Sequence, residues 1–568
     1  VNKKDISIVL CGAAGQGVQT VENILVRLLK RSGFFVFATK EYMSRVRGGS
    51  NSTEIRISSE RVSAPVSRID ILLPFHLDAL NHLKSRITPE TTVIGDRKNI
   101  CLDCPAEVTD FCDVPFAELS ETIGGRLFIN IIAAGMILGI LDIDLSMVSD
   151  FIREFFAKKD KEIVQKNIEA VKLGCQKGKE LFNSGKVRFA IQKPSARDDM
   201  LLNGAEAVGM GALAGGCNLL SSYPMSPSTG VMTILAQHME RFGVVVEQAE
   251  DEIAAINMAL GGSYAGARAM VTTSGGGFAL MTEGVSLSGM IETPVVIHLA
   301  QRPGPATGLP TRTEQADLEL ALYAGHGEFP RIIFAPGSLQ DGFFLTHRAF
   351  NLADQFQIPV FILTDQYFMD TFYNCPPFNL RNVDVKKHVV KTNRDYKRYK
   401  ITDDGISPRG IPGFGEGLVG VDSDEHDEES HITEDLELRT RMVDKRLKKT
   451  GQILSEVVPP EFLGSEDYEI LVIGWGSTYH VLIEALEELN RTDIAFLHFK
   501  QVYPLHPGTN DFLEKATRTI FIENNATSQF GKVVKLDTGY TKGENLLKYN
   551  GLPFTVEDIV DGLKKKLS

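Results

Sequence analysis

The sequence has no run of about eighteen apolar residues and so offers no membrane-spanning helix. Basic residues are outnumbered. Sixty Lys and Arg stand against 73 Asp and Glu, a formal net charge of −13, which argues against a general nucleic-acid binder because phosphate contacts need a basic face. Cysteine is scarce and scattered, seven in 568 residues, which fits a reducing cytoplasm better than a disulfide framework. The first apolar run, Ile6 to Leu10, is too short and too early for a secretory signal, so a cytoplasmic location is expected. No complete Gly-x-Gly-x-x-Gly string follows a strand, which disfavours a nicotinamide-dependent dehydrogenase. What remains is ordinary for a soluble protein with sizeable cores: 43% hydrophobic and 23% charged residues. The length suggests roughly three to four domains.

Four polar loops organise the middle of the chain. They are Ser222 to Thr229, Val246 to Glu252, Thr272 to Gly277 and Gln301 to Gly308. Between them the apolar pattern changes period repeatedly. Thr229 to Phe242, Glu250 to Gly262 and Phe278 to Met290 read as helices; Gly243 to Val246, Arg268 to Thr273 and Pro294 to Leu299 read as strands. Such alternation builds a parallel sheet covered on both faces, and ligands of these sheets bind where the strands end. Two further strands follow at Ile332 to Phe334 and Pro359 to Leu363.

At the N-terminus, strand Ile6 to Cys11 runs into Gly12-Ala13-Ala14-Gly15-Gln16-Gly17, and a helix begins at Val18. Backbone N–H groups at such a junction can hold an anion, although a tight turn with no ligand explains the glycines equally well. Cys101, Cys104 and Cys112 are the only cysteine cluster, and a four-ligand iron–sulfur or zinc site lacks a further ligand nearby. Buried or surface thiols are the expectation there, and no iron–sulfur cluster on this chain. Leu127 to Leu141, Val148 to Phe156 and Lys161 to Phe182 read as helices. From Asn374 to Val457 charge is dense and apolar periodicity poor. This reads as an ordered connector in which His426 and His431 belong to an acidic, solvated loop. Another βα alternation begins near Ser465. The expected divisions are 1–185, a linker 186–197, 198–373, the connector 374–457, and 458–568.

The loops carry a resemblance. Tyr223-Pro224-Met225-Ser226-Pro227-Ser228-Thr229, Glu250 to Ala254, Thr273 to Gly277 and Arg302-Pro303-Gly304-Pro305-Ala306-Thr307-Gly308 are similar, in order, to strings of the alpha subunit of the 2-oxoacid:acceptor (ferredoxin) oxidoreductases. Met225, Ser226, Gly276 and Ala306 depart from the family's residues. The Gly12 turn with Arg45 to Gly49 resembles the family's gamma domain, with Ala14 replacing a glycine. The C-terminal part resembles the transketolase C-terminal domain. The resemblance implies an α/β multidomain chain: a gamma-type domain, a doubly wound thiamin-pyrimidine-binding domain and a transketolase-like domain. Thr402 to Arg409 and Asp424 to Glu428 resemble strings of the 2-oxoglutarate-type members.

The implied activity is oxidative decarboxylation of a 2-oxoacid with coenzyme A, on thiamin diphosphate and Mg, with electrons passed to ferredoxin. In this resemblance Glu252 bonds the aminopyrimidine, with Glu250 as rival, and Pro224 and Ser226 line the cofactor. Ser226, Arg302 and Thr307 face the substrate, and Gly12, Gly15, Gln16, Gly17 and Arg47 border the coenzyme A path. Acidic residues at a helix start also complement its dipole, and an arginine can simply brace a Pro-Gly loop. The usual Gly-Asp-Gly diphosphate string is missing, its nearest match being Gly95-Asp96-Arg97. A separate beta subunit is therefore expected to carry the diphosphate and Mg motif and a 4Fe–4S cluster, in a dimer of alpha–beta heterodimers. Pyruvate or branched-chain specificity, or a non-catalytic scaffold subunit, are the alternatives.

Overall fold

The computed structural model describes residues 3–13, 18–43, 49–76, 78–100, 104–187, 191 and 198–568. The chain forms two compact units. The first comprises Val1–Leu202 with Thr371–Pro377 and Thr555–Glu557; the second holds Asn203–Asp370, Phe378–Phe554 and Asp558–Ser568.

The first unit is built on an eight-stranded mixed sheet. Its strand Asp5–Ala13 pairs antiparallel with Ser50–Ser58 and parallel with Ile71–Pro74. Both faces of that strand are buried, which is why Ile6 to Leu10 is apolar on both sides apart from the buried Ser7. Ile6, Ile8 and Leu10 meet Val21, Ile24, Leu25, Leu28 and Leu29 of helix Val18–Arg31. Val9 and Cys11 meet Leu72, Leu80 and Val93 on the other face. Helices Ile129–Ile140 and Lys161–Asn183 cross at Gly135, Gly139, Gly174 and Gly178, where any Cβ would strike the facing helix backbone. Cys104 is disulfide-bonded, whereas Cys11, Cys112, Cys175, Cys217 and Cys375 are free. The expectation of thiols throughout is thus corrected at Cys104, whose sulfur is committed covalently. Cys101 lies outside the described residues.

In the second unit a seven-stranded sheet runs in the order Gln501–Tyr503, Ile332–Phe334, Pro359–Asp365, Val295–Gln301, Ala269–Thr273, Leu219–Ser222, Val245–Gln248. Every neighbouring pair is parallel except Gln501–Tyr503 against Ile332–Phe334. Strand order reverses between Leu219–Ser222 and Ala269–Thr273, and a bond from Ser222 Oγ to Thr272 O (2.6 Å) ties the two together there. A five-stranded sheet, Glu461–Leu463, Ile494–Phe499, Ile470–Trp475, Arg518–Glu523 and Gly543–Leu547, shares its core with the first: Leu299 and Phe361 lie in one apolar cluster with Ile473, Trp475 and Phe499.

The connector is ordered and contains a long helix, Leu436–Ser455, that sparse apolar residues conceal in the sequence. Most of its charge is exposed, but Arg398, Arg409, Lys445, Arg446 and Lys449 are buried. Glu292, at the far end of helix Gly275–Met290, is buried between Lys445 and Lys449. Arg398 Nη2 donates to Glu292 O (2.6 Å), and Tyr399 OH donates to Ile291 O (3.2 Å). Burial alone would push the Glu292 carboxyl up, but Lys449, Lys445 and Arg398 hold it well below the usual carboxylate range. His426 is fully buried with its ring 3.9 Å from that of Tyr399. The solvated-loop reading is therefore corrected for His426, because the aromatic face of Tyr399 covers it; His431 is exposed. Among the described residues no group of His, Cys, Asp and Glu is arranged to hold a metal ion, and no helix is long and apolar enough to cross a membrane.

Candidate active site

The reversal of strand order places a crevice at the carboxyl ends of Leu219–Ser222 and Ala269–Thr273, where such sheets bind ligands. The sequence's four polar loops meet there. The three consecutive acids at the start of helix Glu252–Tyr264 take different roles. Asp251 caps the helix, its side chain accepting from Ala254 N at 2.7 Å. Glu250 faces solvent. Glu252 is 4% exposed, and its Oε1 has no hydrogen-bond partner in the protein.

Gly277, in the first turn of helix Gly275–Met290, makes room for that carboxyl. A Cβ there would overlap both Glu252 Oε1 and Thr273 Oγ1. The Ser274 hydroxyl beside it is likewise buried without a partner. Buried polar atoms in folded proteins are almost always satisfied, so this concentration calls for a polar group from outside the chain. A thiamin ring nitrogen facing Glu252 Oε1 fits the donor and acceptor chemistry present.

Arg302 follows strand Val295–Gln301 and joins two loops: its Nη1 donates to Ser226 O at 2.7 Å. Pro224 is half-buried, while Ser226 and Thr307 are exposed. Gly12 is buried near the end of strand Asp5–Ala13 in the first unit. Gly15, Gln16, Gly17, Arg45 and Arg47 lie outside the described residues.

Asp317 was not legible as a site residue. Its carboxyl presses on Gly275, where a Cβ would overlap both of its oxygens, and Oδ2 is buried without a partner. Burial and the neighbouring Glu314 push it up to about 7, against the opposing pull of Arg302. Its loop is fixed from the C-terminal sheet. Gln315 N donates to Asn524 O (2.7 Å), Asn525 Nδ2 to Gln315 O (3.1 Å) and Gln529 Nε2 to Ala316 O (2.8 Å). Fully buried Glu523 shapes the turn that does this, accepting from Phe530 N and Gly531 N, both at 2.9 Å. These partners lie some two hundred residues apart in sequence, 209 between Asn524 and Gln315. The only local signal was the Glu314 to Asp317 string after the arginine loop.

The strings Thr402 to Arg409 and Asp424 to Glu428 lie elsewhere. Arg409 pairs with Asp354 (3.1 Å), and Glu425 with Arg446 (2.9 Å). Arg398 and Glu425 support the end of helix Gly275–Met290 opposite Glu252, about 24 Å away at 1.5 Å per residue, while Asp354, the partner of Arg409, lies on helix Leu339–Phe356. They brace the fold and do not touch the crevice.

A doubly wound sheet with buried, unpartnered carboxyl groups at its switch point defines a cofactor-binding α/β enzyme. Comparison with known proteins narrows the class. Residues 210–445 match a family model described as pyruvate flavodoxin/ferredoxin oxidoreductase, thiamine diP-bdg, and residues 7–177 match one described as pyruvate ferredoxin/flavodoxin oxidoreductase. The chain is 31% identical to a 2-oxoacid:ferredoxin oxidoreductase subunit alpha of Sulfolobus sp., over 99% of this chain and 96% of that protein. It is also 31% identical to a 2-oxoglutarate synthase subunit KorA of Archaeoglobus fulgidus, over 64% of this chain and 98% of that one. Among solved structures, the 2-oxoglutarate:ferredoxin oxidoreductase of Magnetococcus marinus, with 2-oxoglutarate, coenzyme A and succinyl-CoA bound, aligns at a TM-score of 0.92 and 29% identity, covering 100% of both chains. The chain belongs to the 2-oxoacid:ferredoxin oxidoreductase family and is similar to its alpha subunits along its whole length.

Proposed function

We propose that the chain is the thiamin-activating subunit of a 2-oxoglutarate:ferredoxin oxidoreductase. The reaction converts a 2-oxoacid, coenzyme A and two oxidised ferredoxins to an acyl-coenzyme A, carbon dioxide, two reduced ferredoxins and a proton. The observation that carries this reading is the buried Glu252 oxygen, unpartnered within the chain and cradled by Gly277. Bound thiamin diphosphate, with Mg, supplies the electron sink that lets a 2-oxoacid lose its carboxylate. Glu252 holds a hydrogen bond, and in turn a proton, at the aminopyrimidine nitrogen from a site closed to water. Arg302 pairs with the substrate carboxylate, which suits a planar guanidinium. The Ser226 hydroxyl and Thr307 complete the polar side of the pocket, with Pro224 against the cofactor.

A separate beta subunit covers the crevice and carries the diphosphate and Mg motif and the 4Fe–4S cluster. Supporting this, apolar side chains rim the crevice in the open: Ile253 and Leu280 are 51% and 52% exposed, and Tyr223 and Met258 are exposed as well. Val245 lies on the edge strand of the sheet, an edge that proteins usually protect. The full assembly is a dimer of alpha–beta heterodimers. In the first unit, the turn from Gly12 through Gly15, Gln16 and Gly17, with Arg47, is assigned to the phosphates of coenzyme A. A strand leading into helix Val18–Arg31 is the arrangement that binds anions.

The preference for 2-oxoglutarate is supported by the names of the relatives in Archaeoglobus fulgidus and Magnetococcus marinus. An oxoacid panel on the assembled complex, with thiamin diphosphate, Mg and coenzyme A, tests it by viologen reduction. The highest kcat/KM belongs to 2-oxoglutarate on this reading. A higher value for pyruvate or a branched-chain oxoacid replaces the substrate assignment. A thiamin-loaded complex inert to all of them makes the chain a scaffold.

A further inference from the structure

Ser274 and Ser338 begin two helices of the same unit, Gly275–Met290 and Leu339–Phe356, from nearly the same backbone. Each precedes the first turn in an extended conformation, at φ −117° and ψ 173° for Ser274 and at φ −131° and ψ 163° for Ser338. Ser338 does what a serine there ordinarily does: its hydroxyl accepts from Asp341 N at 3.1 Å. Asn203 and Asp251 cap their helices likewise, accepting from Glu206 N (2.9 Å) and Ala254 N (2.7 Å). Ser274 does not. Its side chain makes no cap, and its hydroxyl, on a fully buried residue, has no partner in the protein. The first turn it leaves uncapped is Gly275-Gly276-Gly277, whose N–H groups have no earlier helical carbonyl to reach.

A buried hydroxyl that forgoes its cap and bonds nothing else is exceptional, because buried polar atoms are almost always hydrogen-bonded. Its surroundings show which partner suits it. Ser274 O accepts from Phe278 N (2.8 Å) and from Thr273 Oγ1 (3.3 Å), so its backbone is tied into the turn that seats Glu252. There a Cβ on Gly277 would overlap Glu252 Oε1 and Thr273 Oγ1 together. Ser274 Oγ and Glu252 Oε1, both without partners, thus belong to one helical turn. A hydroxyl donates and accepts at once, and the aminopyrimidine of thiamin carries ring-nitrogen acceptors and an amino donor. Depth sets this pair apart from the side chains assigned to the oxoacid. Glu252 is 4% exposed and Ser274 not at all, whereas Ser226 and Thr307 are exposed and Arg302 is half-buried. A substrate that enters and leaves is met at the mouth of a crevice, and a cofactor that stays is met at its floor.

We infer that Ser274 is a cofactor-binding residue, its hydroxyl the second hydrogen-bonding contact of this chain to the thiamin aminopyrimidine, beside Glu252. The inference rests on the thiamin reading given above. It accounts for the forgone cap, since a hydroxyl spent on the N–H groups of its own helix could not serve the ring. The free chain carries that hydroxyl unsatisfied, and the cofactor satisfies it.

The test takes the assembled complex, freed of thiamin diphosphate by dialysis, and titrates it calorimetrically with thiamin diphosphate and Mg. Its thermal melt and its KM for the oxoacid are measured alongside. Losing one neutral hydrogen bond changes affinity by about three- to tenfold, so Ser274→Ala should raise the thiamin diphosphate Kd by that factor. The cofactor-free melt of the variant should be no lower than that of the wild type, because the deleted hydroxyl had no partner to lose. The KM for the oxoacid, with the cofactor saturating, should not move. An unchanged Kd overturns the inference. So does a lower cofactor-free melt or a complex that no longer assembles, since either shows the hydroxyl holding the fold. A raised KM with an unchanged Kd gives the hydroxyl to the substrate and overturns it likewise. The thiamin reading fails separately. A wild-type complex that takes up no thiamin diphosphate removes that reading, whereas a wild type that binds it, with Ser274→Ala binding as tightly, sinks the role of Ser274 alone.

Discussion

Gly277→Ala is the mildest substitution that reaches the centre of the site. On helix propensity alone it is favourable by about 1 kcal/mol, because alanine gives up less backbone freedom. The added methyl, however, overlaps Glu252 Oε1 and Thr273 Oγ1 and comes within 2.8 Å of Glu252 Cγ. Thr273 is fully buried in the sheet, so the glutamate must yield. Overpacking of this kind costs about 1–3 kcal/mol, leaving a net destabilisation of about 0–2 kcal/mol after the propensity gain. A chain of this size tolerates that loss. Catalysis does not, because misplacing a reacting group by about 1 Å can cost about 100-fold. The expected result is an assembled complex with a near-native thermal melt and oxoacid-dependent viologen reduction lowered about 100-fold. Activity within about threefold of wild type, a barrier change under about 0.7 kcal/mol, would refute the reasoning that Gly277 exists to seat Glu252.

Other changes probe separate parts of the account. Glu292→Gln leaves Lys445 and Lys449 buried without their anion; denaturant unfolding should show a loss of about 3–5 kcal/mol, and a loss under about 1 kcal/mol contradicts the role given to this cluster. His298 bridges Thr272 (2.6 Å) and Thr364 (2.9 Å) in the sheet, and burial pulls it down to about 3. Its depressed value means that the unfolded chain binds the extra proton first. Its contribution is present above the ordinary histidine value and lost as pH falls toward 3, so acid unfolding should be less steep in His298→Gln. Leu280→Asp puts a charge on the open apolar rim. It should abolish co-purification with the beta subunit while leaving the circular dichroism spectrum of the isolated chain unchanged, and retained co-purification removes this rim from the interface.

Much of the seven-stranded sheet was legible because each of its elements is short, apolar and punctuated. Helix Thr229–Phe242 and strand Ile332–Phe334 fall at the bounds expected from periodicity. Helix Gly275–Met290 starts three residues before Phe278 because three glycines hide its first turn. Those glycines carry the site, so the local signal fails where the function lies. The connector was harder. Helix Leu436–Ser455 buries Lys445, Arg446 and Lys449, and no hydrophobic pattern marks a face on which the two lysines meet Glu292, 153 residues before Lys445. Asp317 was missed for a related reason: its burial is made by Gly275 and by the Asn524 turn, neither of which neighbours it in sequence. The strings near Thr402 and Asp424 resemble those of the 2-oxoglutarate-type members, and in the structure Arg409 and Glu425 of these strings pair with Asp354 and Arg446.

The most direct measurement is oxoacid-dependent viologen reduction by the assembled, thiamin-loaded complex carrying Glu252→Ala. General acid–base assistance of the kind assigned to Glu252 is worth about 100- to 10,000-fold, and the account predicts a fall of that size with the subunits still associated. A complex that keeps its wild-type rate without the carboxyl contradicts it.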